Sequence, residues 1–272
     1  MEIEVGGLTF AVQVSGPDDG QPVVLLHGWP DRASLWDHQI AALIAAGFRT
    51  IAPDLRGFGD SAKPAEVDAY NILFLAGDVQ GILDHLGVER AHVVGHDWGS
   101  ALAWAIAGFA PERVQKLVAM SVGHPSGFGA AGLAQRRLSW YMLLFQFVGI
   151  AEEWLSMDDW KNMRDFGAGH LAMDQVIADA SRPGALTAGL SWYRANVPPE
   201  SLIAPALPFP PVAAETMGIW SSGDAYLLEA PMKESGQFVT GGFRYERIDG
   251  ASHWMQLDAP DEVNRLLLDF LA

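Results

Sequence analysis

Apolar residues in the first half of the chain fall into two alternating kinds of run. Short runs rich in β-branched residues sit at Val23 to Leu26, Arg49 to Ala52, His92 to Val94 and Val114 to Val122. Between them lie longer stretches with helical spacing, Leu35 to Ala46, Ile72 to Leu86 and Ser100 to Phe109. Such alternation predicts βαβ units and a mostly parallel sheet. The opening segment, Glu2 to Val14, carries Gly6-Gly7 between two short runs and predicts an antiparallel hairpin at the sheet edge.

From Pro125 to about Pro211 the alternation stops, and the chain becomes helical and rich in Trp, Tyr and Met before a Pro-dense stretch, Pro205 to Pro211. After it come strand patterns near Met217 to Trp220 and Phe243 to Ile248, and a closing helix from Pro260 to Phe270. This organisation divides the chain into an α/β core of residues 1–124 and 212–272 and a helical cap of residues 125–211. The longest apolar run, Leu138 to Ile150, is interrupted by Ser139 and Gln146. It falls short of the about 20 residues that span a bilayer, and reads as a buried or pocket-lining helix. No internal repeat or low-complexity segment is present.

Composition narrows the function classes. With 272 residues, half of them apolar, the chain can bury a full core. It has no cysteine, which excludes disulfides, thiolate nucleophiles and thiolate-bound metal centres. A formal charge of -16 repels phosphate backbones and anionic membrane surfaces, so neither nucleic acid nor membrane is expected as a partner. The amino terminus, Met1-Glu2-Ile3-Glu4-Val5, carries acids where a secretory leader needs a basic start, which predicts a cytoplasmic protein.

The sharpest local signal is Val93-Val94-Gly95-His96-Asp97-Trp98-Gly99, between a strand pattern and a helix pattern. It has the frame of a nucleophile elbow, in which a tight turn presents its central residue at the top of the sheet. The central residue here is Asp97; the plainer alternative is a helix N-cap aspartate. A carboxylate is already ionised at neutral pH and can displace a leaving group from a saturated carbon. Water must then attack the resulting ester, so a general base and an oxyanion hole are required.

His253, in Asp249-Gly250-Ala251-Ser252-His253-Trp254, follows the last strand pattern and is the candidate base. Asp224, after the preceding strand pattern, is its candidate orienting acid; Asp249 competes but lies on the same short loop as His253. The chain order nucleophile, acid, histidine suits an elbow enzyme. For the oxyanion hole, the N–H of Trp98 and that of Trp29, in Leu26-His27-Gly28-Trp29-Pro30, are the candidates; that loop also reads as an ordinary Gly/Pro turn.

These segments resemble the soluble epoxide hydrolases of the α/β-hydrolase superfamily, with haloalkane dehalogenases as close relatives. The match runs through His27-Gly28-Trp29-Pro30, Asp54-Leu55-Arg56-Gly57-Phe58-Gly59, Gly95-His96-Asp97-Trp98-Gly99 and Gly250 to Trp254. The resemblance implies an α/β-hydrolase fold with a mostly parallel eight-stranded sheet flanked by helices and an inserted helical cap. It also implies two cap tyrosines facing the nucleophile, at Tyr141 in Trp140-Tyr141-Met142 and Tyr193 in Trp192-Tyr193-Arg194. An opening epoxide yields an alkoxide whose conjugate acid has a pKa of about 16, against about 10 for a phenol, so proton donation from tyrosine runs downhill. A halide needs N–H donors instead; Trp98 serves either reading, and an indole N–H from Trp29 keeps the dehalogenase alternative open.

The expected reaction is attack by Asp97 on an epoxide carbon with Tyr141 and Tyr193 on the ring oxygen. Release of a vicinal diol by water activated at His253/Asp224 follows. Trp29, Trp98, Trp140, Phe145 and Trp192 are expected to wall an apolar pocket for a small hydrophobic epoxide, with no metal or organic cofactor. His124 follows a strand pattern and either reaches the pocket or packs at a hinge.

Overall fold

The computed structural model describes residues 1–202 and 209–272, so most of the Pro-dense stretch lies outside the described residues. The predicted edge hairpin is β1 (Glu2–Val5) paired antiparallel with β2 (Leu8–Ser15). Six further strands are parallel to one another: β3 (Pro22–Leu26), β4 (Arg49–Pro53), β5 (Ala91–His96), β6 (Val114–Met120), β7 (Glu215–Gly223) and β8 (Phe243–Ser252). They form one eight-stranded sheet in the order β1-β2-β4-β3-β5-β6-β7-β8. β5 is buried at every residue, as a strand covered on both faces must be.

Alternate residues feed two apolar cores. Val24, Leu26, Val93 and Leu117 face one layer with α2 (Ile72–His85) and α3 (Trp98–Phe109). Val23, Leu25, Val94 and Val118 face the other, with α1 (Asp37–Ala45) and the last helix (Pro260–Leu271). The predicted helix from Leu35 starts as a 3-10 turn at Ala33–Trp36 and becomes α-helical at Asp37.

Between β6 and β7 the chain forms α4 (Pro125–Ala130), α5 (Gly132–Leu138), α6 (Trp140–Leu144), α7 (Ile150–Phe166), α8 (Met173–Ala180) and α9 (Ala185–Asn196). The single helix expected over Leu138 to Ile150 is broken: α6 ends at Leu144, and Gly149, at φ 81°, begins α7. Leu143, Phe147, Val148 and Ile150 are exposed there while Tyr141 and Phe145 are buried, so the run has an outer ridge as well as a buried side. α7 is itself two helical segments, with Asp158, Asp159 and Trp160 in the left-handed region between them.

Three polar contacts set α9 on the sheet and on its neighbours. Trp192 gives its indole N–H to the Arg56 carbonyl at 2.9 Å, and Arg56 is gripped by buried Asp78 at 2.8 and 2.5 Å. Asn196 donates to the Tyr70 carbonyl and accepts from the Ile72 N–H, both at 2.8 Å. Buried Arg194 donates to the Phe145 carbonyl at 2.8 Å and reaches Glu152 with both terminal nitrogens, at 2.8 and 3.0 Å. Paired this way, a buried guanidinium leaves no uncompensated charge. Among the described residues no helix is long and apolar enough to cross a membrane.

The junction of β5 and α3 is the tightest place in the fold. A Cβ on Gly99 would lie 2.0 Å from the Leu26 carbonyl oxygen, a backbone atom that cannot step aside. Gly99→Ala is therefore expected to cost about 3 kcal/mol or more, at or above the upper end of typical overpacking penalties. Gly77→Ala, on the exposed face of α2 with nothing within 4 Å of the new methyl, should instead stabilise by about 0.5–1 kcal/mol. Urea denaturation midpoints of the two variants against the parent check both signs.

Candidate active site

Parallel strands deliver their C-terminal ends to one edge of a sheet, and the loops that leave them collect there. Asp97 follows β5, Asp224 follows β7, His253 follows β8 and Trp29 follows β3. All four side chains are buried or nearly so.

Asp97 has φ 53° and ψ -122°, a conformation that costs a non-glycine residue about 1–3 kcal/mol unless the surroundings impose it. It precedes the first residue of α3, yet its side chain makes no cap hydrogen bond, which sets aside the simple N-cap reading. Its Oδ1 instead accepts the Trp29 backbone N–H at 3.0 Å, and the Trp98 N–H also supports the carboxylate. The approach of the two loops is possible because Gly28 has no side chain; a Cβ there would lie 2.4 Å from Asp97 Cβ.

His253 Nδ1 is 2.8 Å from Asp224 Oδ2, while the other Asp224 oxygen accepts the N–H groups of Tyr226 and Leu227 at 2.9 and 3.0 Å. With the Asp224 carboxylate as acceptor, Nδ1 carries the proton and Nε2 of the neutral ring holds a free lone pair. That nitrogen is 3.7 Å from Asp97 Oδ2, aimed at the carboxylate without being bonded to it. Asp249, the competing acid, is exposed and paired with Arg247 at 2.7 Å.

Burial pushes the Asp97 carboxyl up to about 6, against the opposing influence of His253 and the two N–H groups. Burial also acts on His253 and Asp224, in each case opposed by the pairing between them. The net result is an imidazole raised above its usual value and a carboxyl held below the usual range.

The insertion supplies aromatic rings over this edge. Tyr141 and Tyr193 are buried with ring centroids 5.9 Å apart. Burial, with the Asp97 charge close by, holds both phenols well above their usual value, so both stay protonated. Phe145, one helical turn from Tyr141, packs on Tyr193 at 5.1 Å and Trp29 at 5.2 Å. Trp98 lies 5.1 Å from Tyr193, edge to face, and its side chain partly offsets the rise of that phenol. The Trp29 indole turns toward α9: a Cβ on Gly189 would lie 3.0 Å from its Nε1, on a crevice with Gly57, Phe58 and Leu186 whose lining does not include Asp97.

Two wall residues stand elsewhere than expected. Trp140 is 51% exposed and packs on Trp154, outside the ring cluster. Consecutive helical residues point about 100° apart, so with Tyr141 inward Trp140 must turn out. Trp192, beside inward-facing Tyr193, is buried against Phe58 and behind Trp98, with its N–H already given to Arg56. His124 stacks on Phe238 at 4.4 Å and meets Phe209 and Trp104, which places it at the hinge.

Phe166 and Tyr226 were not signalled by any motif. Phe166 closes the cluster against Trp29 and Tyr141, and Tyr226, two residues beyond Asp224, has its ring 5.1 Å from His253 and gives its hydroxyl to the Phe166 carbonyl. The proximity of Tyr226 to Asp224 in sequence is the one cue that could have found it.

Residues 21–148 match the alpha/beta hydrolase fold family. The AB hydrolase superfamily protein YfhM of Bacillus subtilis is 35% identical over 99% of this chain and 96% of its own length. Epoxide hydrolase 3 of Xenopus tropicalis is 36% identical over 97% of this chain and 75% of its own. A mutant epoxide hydrolase from Bacillus megaterium, solved with its diol product, superposes with a TM-score of 0.89 at 27% identity, covering 100% of this chain and 99% of that one.

The buried carboxyl sets a pH dependence for the first chemical step. As pH falls through about 6, Asp97 takes up a proton and loses its nucleophilic form. The rate of covalent adduct formation in single turnover, followed by quenched-flow mass spectrometry, should fall on the acid side of about pH 6. An ordinary exposed aspartate would keep that rate flat to below pH 5.

Proposed function

Because the chain belongs to the epoxide hydrolases of the α/β-hydrolase fold, we propose that Asp97 opens the epoxide and His253 with Asp224 releases the diol. Residues 125–211 then act as a cap that brings Tyr141 and Tyr193 over the nucleophile. Asp97 Oδ2 attacks a ring carbon; the carbon–oxygen bond breaks, and the departing oxygen takes a proton from a tyrosine. The product of this half is a hydroxyalkyl ester on Asp97. His253 Nε2 then takes a proton from water as the water oxygen adds to Asp97 Cγ, and collapse of the tetrahedral species breaks the Cγ–Oδ2 bond. The diol leaves with Oδ2, which takes the proton held on His253 Nε2; the second water proton returns to the tyrosinate, and the carboxylate is rebuilt with one oxygen from solvent.

The observation that carries this reading is the split use of one carboxylate. Oδ1 rests on the Trp29 N–H, where negative charge must gather in the second step, with the Trp98 N–H also supporting the carboxylate, while Oδ2 faces His253 at 3.7 Å. Donors placed before reaction begins need no reorganisation as the charge develops. The raised phenols suit the first half, since a tyrosine that stays protonated beside Asp97 keeps a proton to give to the departing oxygen. Two buried, protonated phenols beside Asp97 favour an epoxide, whose leaving oxygen needs a proton, over a halide leaving group, which needs none.

His253→Gln given a small hydrophobic epoxide should accumulate a protein species heavier by the full substrate mass, mapped to Asp97 by peptide sequencing. Tyr193→Phe should slow epoxide opening by about a hundredfold or more while leaving Asp97 in place. Absence of an adduct in the His253→Gln protein, or halide release from haloalkanes faster than epoxide turnover, would overturn the assignment.

A further inference from the structure

A third carboxylate near the site belongs to neither half of that scheme. Asp31 lies two residues beyond Trp29 and is buried, with its own N–H given to the Gly28 carbonyl at 3.0 Å. Its Oδ2 accepts the Trp254 indole N–H at 3.0 Å, and its Oδ1 lies 2.8 Å from Nε2 of His170, in the loop between α7 and α8. His170 Nδ1 accepts the Ala172 N–H at 3.0 Å, so the ring proton sits on Nε2 and is donated to Asp31. The His170 ring also meets the Trp254 ring edge to face at 4.6 Å.

We propose that Asp31 is a positioning residue for ester hydrolysis, clamping together the loop that carries the Trp29 N–H, the turn that carries His253, and the cap. This rests on His253 acting as the base. Both oxygens of Asp31 are committed, one to each partner, and each partner is on a different segment. Trp254 is the residue next to His253, so holding its indole fixes the turn from one side. His96 fixes it from the other, with Nε2 2.9 Å from the His253 carbonyl. A base displaced by even an ångström loses its line to the attacking water.

The same carboxylate also acts through charge. Burial works to raise Asp31, but the His170 hydrogen bond and the nearby His170, His96 and His27 rings hold it below the usual carboxylate range. His253 is faced by Asp224, Asp97 and Asp31, by the His96 ring at 4.6 Å and by the Tyr226 ring at 5.1 Å. Once Asp97 is esterified it carries no charge, so removing the Asp31 charge takes away one of the two anions, Asp224 and Asp31, that still favour the protonated imidazole. The acid limb of ester hydrolysis should then move to lower pH.

Asp31→Asn keeps the shape but can satisfy only one of the two N–H donors. Single-turnover measurement separates adduct formation from adduct loss in the same protein. Adduct formation should stay within about threefold of the parent, and adduct loss should slow by about tenfold to a hundredfold with its acid limb displaced downward. His170→Phe, which removes the donor and keeps a ring, should slow adduct loss in the same direction. If the Asn variant does not fold, His170→Phe carries the rate comparison alone. Adduct loss at the parental rate, or equal slowing of both steps, would overturn the clamp. Failure of His253→Gln to accumulate an ester would instead overturn the reading on which it rests.

Discussion

One backbone conformation governs this molecule: Asp97 at positive φ between β5 and α3. No aspartate stays there on its own account, and the surroundings that hold it are mostly other backbone. The Asp97 N–H reaches the Met120 carbonyl of β6 at 3.3 Å, and its carbonyl accepts from Ser100 and Ala101 at 2.9 and 3.1 Å. The β3 loop passes close enough that its Trp29 N–H meets the carboxylate. The strand order that sets β5 between β3 and β6 is thus what brings a donor loop to the nucleophile. The sheet's core serves the elbow as much as it serves stability.

Three buried carboxylates share the space around His253 and are driven to different ends by their partners. Asp224 has an imidazole N–H on one oxygen and two backbone N–H groups on the other, and stays ionised to orient the ring. Asp31 is likewise saturated, by an indole and a second histidine. Asp97 has the Trp29 N–H on Oδ1, burial raises it, and Oδ2 faces His253 at 3.7 Å. Differences in environment among chemically identical groups are how a site assigns roles.

Much of this was legible before any coordinates. Period-two and continuous apolar runs marked every strand of the sheet, because strands covered on both faces have little freedom in composition. The elbow, Asp224 and His253 could be read because each follows a strand directly, where chain order and loop position nearly determine location. The cap was harder. Large apolar residues occupy both its buried side and its outer ridge, so composition did not separate Tyr141 from Trp140; helical phase did. Gly149 was a visible break in the Leu138 to Ile150 run, whose apolar character hid it. Tyr226 was announced only by its place two residues beyond Asp224, and Phe166 reaches the site from a segment distant in sequence, a contact no local pattern announces.

The elbow frame has a consequence for what can be varied. At Gly28 a Cβ would meet the Asp97 side chain, and at Gly99 the Leu26 carbonyl, so any side chain at either position would crowd the turn. The elbow is a socket whose walls are vacancies, and variation that keeps the turn has to come from the residues above it.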